Sequence, residues 1–267
     1  MKRFAPALIA LSALLPMAAH AHDAFIVPSA TVLSGEKAWV TVDAAIGNDK
    51  FYFNHAPMRL DGLEITGPDG QTVQAENQHT GKLRSGFDAQ LTKDGTYRIA
   101  VVTDGTLLAR WKESGANKRW FGTAKDLASK VPQNAEDLTV IERVSRVETF
   151  VTKGQPTDIQ PVTRGFGIQM EPHPNDLFAQ EEATFTLTLD GQPAADTEVH
   201  IVPGGSRYRD SLNEIKVTTD KQGRFSVTWP QAGAYWLHAS GSDGKTSVEQ
   251  ASKRAVSYSL TLEVLPQ

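Results

Sequence analysis

Over most of this chain apolar and polar residues alternate in short runs, and each run ends at a turn of Gly, Asp or Pro. Trp39–Ala44 sets Val40, Val42 and Ala44 against Trp39, Thr41 and Asp43. A period of two belongs to a strand with one face in a core and the other in water. Leu60–Thr66 runs into the turn Gly67-Pro68-Asp69-Gly70 and on to Gln71–Ala75, and Lys93-Asp94-Gly95 leads into Thr96–Thr103. Further along, Ala183–Leu189 alternates Phe185, Leu187 and Leu189 against threonines, and Asp190-Gly191 turns the chain. Glu198–Val202, Arg224–Trp229, Ala234–Ala239 and Ser257–Leu265 complete the series. Such spacing predicts an all-β fold of two β-sandwich domains, immunoglobulin-like in the broad sense, with a short, partly helical connecting segment. Ala124–Lys130 and Glu136–Glu142 carry weak helical patterns split by Pro132. Gly154, Pro156 and Pro161 mark a connector, so the domains are expected at 22–160 and 161–267.

Residues 1–21 have the make-up of a cleavable signal peptide. Lys2 and Arg3 open it, Phe4–Leu15 is apolar, and Ala19-His20-Ala21 supplies the small-x-small cleavage pattern. The apolar run is too short to span a bilayer. A periplasmic address is therefore expected, with no membrane insertion after cleavage. The chain has no cysteine, which excludes disulfides, thiolate metal sites and thiol catalysis. Its formal charge of −4 and lack of a basic cluster argue against nucleic acid as a partner.

The second half contains Asp190-Gly191-Gln192-Pro193-Ala194, Val199-His200-Ile201, Thr219-Asp220, Gly223-Arg224-Phe225 and Gly233-Ala234-Tyr235-Trp236-Leu237. This run resembles the transthyretin-like and carboxypeptidase-regulatory-like seven-strand sandwich, which as a scaffold implies no particular activity. His22-Asp23-Ala24-Phe25-Ile26-Val27-Pro28 after the leader, Glu171–Leu177, Arg207-Tyr208-Arg209 and the closing strand Tyr258–Pro266 resemble the NikM-like periplasmic family. That resemblance implies nickel or cobalt uptake. With no membrane segment of its own, the chain would need a membrane transporter or an outer-membrane receptor as partner.

Six histidines lie beyond residue 21, without an HxxxH or HExxH motif, so any metal site must be assembled by the fold. Cleavage after Ala21 would leave His22 with a free α-amine beside its imidazole. Such an amine has a pKa near 8 and can yield its proton to a metal. Amine plus imidazole chelates from one residue, and a second histidine would complete a histidine brace suited to copper. His55 shares a strand face with Phe51 and Phe53, and His173 lies between two prolines at the domain junction. His200 and His238 each point away from the apolar set of their strand, and His79 belongs to a polar loop. The candidate ligands are His22, His55, His173 and His238, for nickel, cobalt or copper. No Gly-rich phosphate loop, GxSxG or cysteine nucleophile is present, so a non-enzymatic metal-binding protein is expected. The alternative is a periplasmic binding or adaptor module that acts without metal through its loops or the interdomain cleft.

Overall fold

A computed structural model describes residues 22–132 and 134–267. The expected leader, 1–21, lies outside the described residues. The chain runs through β1 (Asp23–Pro28), β2 (Val32–Leu33), β3 (Ala38–Gly47), β4 (Ala56–Pro57), β5 (Leu63–Thr66), β6 (Glu76–Thr80), β7 (Ser85–Leu91), β8 (Gly95–Glu113) and β9 (Ala116–Gly122). The helix α1 (Ala124–Lys130) and the long strand β10 (Glu136–Lys153) follow. Then come β11 (Phe166–Glu171), β12 (Glu182–Leu189), β13 (Gln192–Pro193), β14 (Glu198–Pro203), β15 (Ile215–Thr218), β16 (Arg224–Thr228), β17 (Gly233–Asp243) and β18 (Lys253–Val264). The fold is all-β and built of sandwiched sheets, as the alternation predicts.

Three sheets form. The first has the order β1-β3-β7-β6, with β4 on β3. The last has β11-β12-β13, with β16 on β12. Between them a nine-stranded sheet runs β15-β14-β17-β18-β10-β8-β5, with β2 on β10 and β9 on β8, and draws strands from both halves of the sequence. Its seam is the parallel pairing of β10 with β18, Ile141 opposite Lys253 through Thr149 opposite Thr261. The expected boundary near residue 160 falls in the irregular stretch between β10 and β11, while the sheet itself is continuous.

Alternation sends the two faces of this sheet into two cores. Tyr97, Ile99 and Val101 of β8 and Val147 and Val151 of β10 pack against Val40, Val42, Phe87 and Leu91 of the first sheet. Val144 and Phe150 of β10, Tyr258, Leu260 and Leu262 of β18 and Tyr235 and Leu237 of β17 pack against Phe185, Leu187, Phe225 and Trp229 on the other side. Trp229, fully buried, meets Tyr235 and Phe185 edge-on. Burying each such side chain contributes about 1.5–3 kcal/mol.

Two local expectations change. Ala124–Lys130 is helical, but Glu136–Glu142 is the first part of β10 and pairs with Leu107–Lys112 of β8. Thr139, Val140 and Ile141 are β-branched, and long-range pairing outweighs the weak helical period. His79 lies in strand β6 rather than a loop, exposed, with its Nδ1 3.1 Å from the Asn77 carbonyl.

Candidate metal centre

The start of β1 is laid against the face of the nine-stranded sheet that points away from the second-half core. Phe25 and Ala45 pack there with Val202 and Trp236, flanked by Val27, Phe51 and Phe53. The Trp236 indole N–H donates to the Ala24 carbonyl at 3.0 Å. Phe25 lies between the rings of Phe51 and Phe53, at 5.6 and 5.9 Å. These contacts anchor the segment that carries His22.

The loop after β3 brings the second histidine. Asn54 Oδ1 accepts from the Asn48 amide at 2.8 Å, and Asn54 Nδ2 donates to Asp49 at 3.0 Å. Phe51 takes a left-handed backbone, φ 65°, to turn the chain. β4 then pairs with Ala45 and Ile46 at the end of β3, while Asp23 pairs with Gly47. His22 and His55 therefore meet at one end of the first sheet. Their rings stack with centroids 3.6 Å apart and planes 14° apart. Both side chains are exposed. In-plane lone pairs of parallel rings do not converge, so one ring must turn before both nitrogens face a common ion at about 2 Å.

His238 lies on β17, two residues after the Trp236 that packs against β1. Its ring stacks on Trp236, with centroids 5.0 Å apart, and its Nδ1 lies 3.1 Å from the Ser259 hydroxyl. Lys50 forms an ion pair with Asp23, both mostly buried, and its ammonium stands 4.5 Å above the Trp236 ring. Burial lowers the His238 pKa; Asp23 opposes this, and His200 and Lys50 add to it. The imidazole is thus held neutral, the form that ligates metal.

The other histidines are engaged elsewhere. His173 accepts from the Asn175 amide on Nδ1 at 3.2 Å and lies 2.9 Å from the Thr96 hydroxyl through Nε2. Thr96 Oγ1 and Asn175 Oδ1 both contact the Thr152 hydroxyl, and Asn175 Nδ2 donates to the Phe150 carbonyl. With both ring nitrogens taken, His173 ties the 172–176 segment to β8 and β10. His200 stands directly opposite His238 across the β14–β17 pairing. It is occupied by Glu198 at 2.8 Å and Glu214 at 2.7 Å. Of the four candidate ligands the fold brings His22 and His55 into contact, stacks His238 on the Trp236 ring that Lys50 also covers, and gives His173 a separate network. Among the described residues no three His, Asp or Glu side chains already converge on one point. Trp236, Asp23 and Lys50 were not apparent as parts of this site from their sequence neighbours.

The comparisons with known proteins place the chain as follows. A family described as "Domain of unknown function (DUF4198)" matches residues 19–243. No functionally curated protein matches. Among solved structures, the chain is similar to the D0-D1 domain of intimin, at 11% identity and TM-score 0.22 over 89% of this chain and 96% of that one. It is also similar to a two-domain fibronectin type III segment of chicken tenascin, at 15% identity and TM-score 0.23 over 91% of this chain and 100% of that one. A third likeness is to a DUF3823 family protein of Bacteroides uniformis, at 12% identity and TM-score 0.24 over 77% and 88%. At these scores the likenesses carry no argument about the chain.

Proposed function

The chain belongs to the DUF4198 family, and on that footing we propose that it is an exported, periplasmic transition-metal-binding protein. The observation that carries this reading is the stack of His22 on His55. Cleavage after Ala21 would add the α-amine of His22 to the two imidazoles and give three nitrogen donors at one exposed corner. Such a set ranks copper(II) above nickel(II) and cobalt(II). The NikM-like resemblance supports metal handling, in which the protein would pass its ion to a membrane transporter or outer-membrane receptor. His238, neutral and half-buried, backs the site through Trp236 and the Asp23–Lys50 pair; His173 has no part in it.

Titration of copper, nickel and cobalt into protein beginning at His22 tests the reading. Protein carrying one extra residue ahead of His22 and the His55→Ala variant should each bind at least about tenfold more weakly, since even outer-shell partners of metal sites are worth that much. Equal affinity in all three would remove both the amine and His55 from the site.

One feature favours a second reading, a metal-free adaptor. Tyr208 is 84% exposed beside Arg207, whose guanidinium stacks 4.0 Å over the Tyr52 ring. Tyr52 in turn lines a cleft of about 410 Å³ with Phe51, Pro203, Tyr235 and their neighbours. A melting temperature that copper, nickel and cobalt all leave unchanged would select this reading over the first.

A further inference from the structure

On the face of the nine-stranded sheet opposite the first core, two guanidinium groups flank one buried carboxylate, Arg98 also over the Phe150 ring, and among the described residues neither makes a hydrogen bond. Arg98 of β8 and Arg146 of β10 are 14% and 15% exposed. Each approaches the same oxygen, Glu148 Oε2, at 3.4 and 3.5 Å, too far and poorly aimed for a hydrogen bond. Arg98 Nε and Nη2 and Glu148 Oε2 are buried with no hydrogen-bond partner among the described residues. Arg146 reaches a second carboxylate, that of the exposed Glu64, at 3.9 Å. Glu148 is fully buried, and its other oxygen accepts from the Tyr258 hydroxyl at 2.5 Å. Its one free oxygen is thus shared between two guanidiniums, and Glu64, the second carboxylate in reach, stays beyond hydrogen-bond distance.

Both arginines line a cleft of about 300 Å³ roofed by residues 161–166. The third arginine there, Arg164, is occupied: Asp104 accepts from it through both oxygens at 2.7 Å, and Glu142 at 2.6 Å. The apolar walls are Val102, Val144, Val162 and Phe166; Thr66, Ser145 and Thr163 add hydroxyls, and the carboxylates of Glu64 and Asp104 stand at the lining beside Arg146 and Arg164. Buried guanidinium N–H groups left unpartnered, as on Arg98, are costly, and a planar carboxylate can accept from two guanidiniums at once. Apolar walls beside a small number of polar groups are the usual make-up of a small-molecule site, and this volume lies at the small end of the range.

We propose that this cleft binds a small organic acid, its carboxylate held between Arg98 and Arg146 and its apolar body against Val102, Val144, Val162 and Phe166. The site is independent of the histidine corner and stands whether or not that corner binds metal.

The test is calorimetric titration and thermal shift of the full chain with benzoate, hexanoate and inorganic phosphate. Benzoate or hexanoate should bind and raise the melting temperature in a concentration-dependent way, and phosphate should bind at least about tenfold more weakly, as it offers nothing to the apolar wall. Arg146→Gln should abolish carboxylate binding, and Arg146→Lys, which keeps the charge and loses the fork, should weaken it. Glu148→Gln should tighten it, because the internal competitor for both guanidiniums is gone; a merely structural role for Glu148 would not do so. No binding by either carboxylate, or binding unchanged in both Arg146 variants, would overturn the proposal. Phosphate binding as tight as benzoate would overturn the organic-acid assignment.

Discussion

His173 and His238 are each held below the ordinary histidine pKa, in both cases chiefly by burial. A histidine that stays neutral when folded takes up its proton in the unfolded chain first. Above about pH 6.5 neither state is protonated and the effect vanishes. As pH falls below that value the unfolded state binds more protons, so stability drops. The melting temperature should therefore decline between about pH 6.5 and 5, well above the acid range in which Asp190 and Asp243, lowered by their hydrogen bonds to Arg254, begin to take up protons. A His173→Gln, His238→Gln double variant should flatten the profile in that window, whatever its absolute stability. An unchanged slope would mean that these imidazoles do not govern it.

Strand β1 is a short element with a large effect, because Phe25 is its anchor. Phe25 is fully buried between Phe51, Phe53 and Trp236. Phe25→Ala removes that filling and should cost about 3–5 kcal/mol in denaturant unfolding. The same variant should weaken metal binding by loosening the segment that carries His22, whereas a loss of stability with full metal affinity would separate the anchor from the corner. The alternation that marks these strands was legible from residue order alone, as in Trp39–Ala44 and Ala183–Leu189. The length of β8 was not. Asp104-Gly105 has the look of a turn, yet the strand continues through it to Glu113: Thr103 pairs with Ser145 and Thr106 with Arg143, so a bulge takes up the two residues opposite Val144. Gly105, at φ 70°, supplies the left-handed backbone such a bulge needs. In the same way Glu136–Glu142 is decided by β8, its distant partner, and local period does not contain that information. His22 and His55 were both readable as candidates, but their contact depends on the fold of the 48–55 loop. Arg98, Arg146 and Glu148 gave no signal, since charged residues scattered along two strands look like any solvated face until a third segment covers them.

At the scale of the whole molecule the two cores share one sheet. Losing either core exposes a face of β10, where Val147 and Val151 belong to one and Phe150 to the other. The halves should accordingly unfold together, in one calorimetric transition whose van't Hoff and calorimetric enthalpies agree. Two separable transitions would show that the β10–β18 seam does not couple them.

That seam also sets an order in time. β10 has β8 to pair with as soon as residue 153 is made, and β2 meets its last two residues on the other edge, but Ile141–Thr149 of that edge stay open until β18 is complete about a hundred residues later. Until the closing strand arrives, a run of unpaired amides and the aromatic ring of Phe150 face solvent. Any passage of the chain that runs from its N-terminal to its C-terminal end keeps this gap, since the strand that finishes the sheet is the one that arrives last.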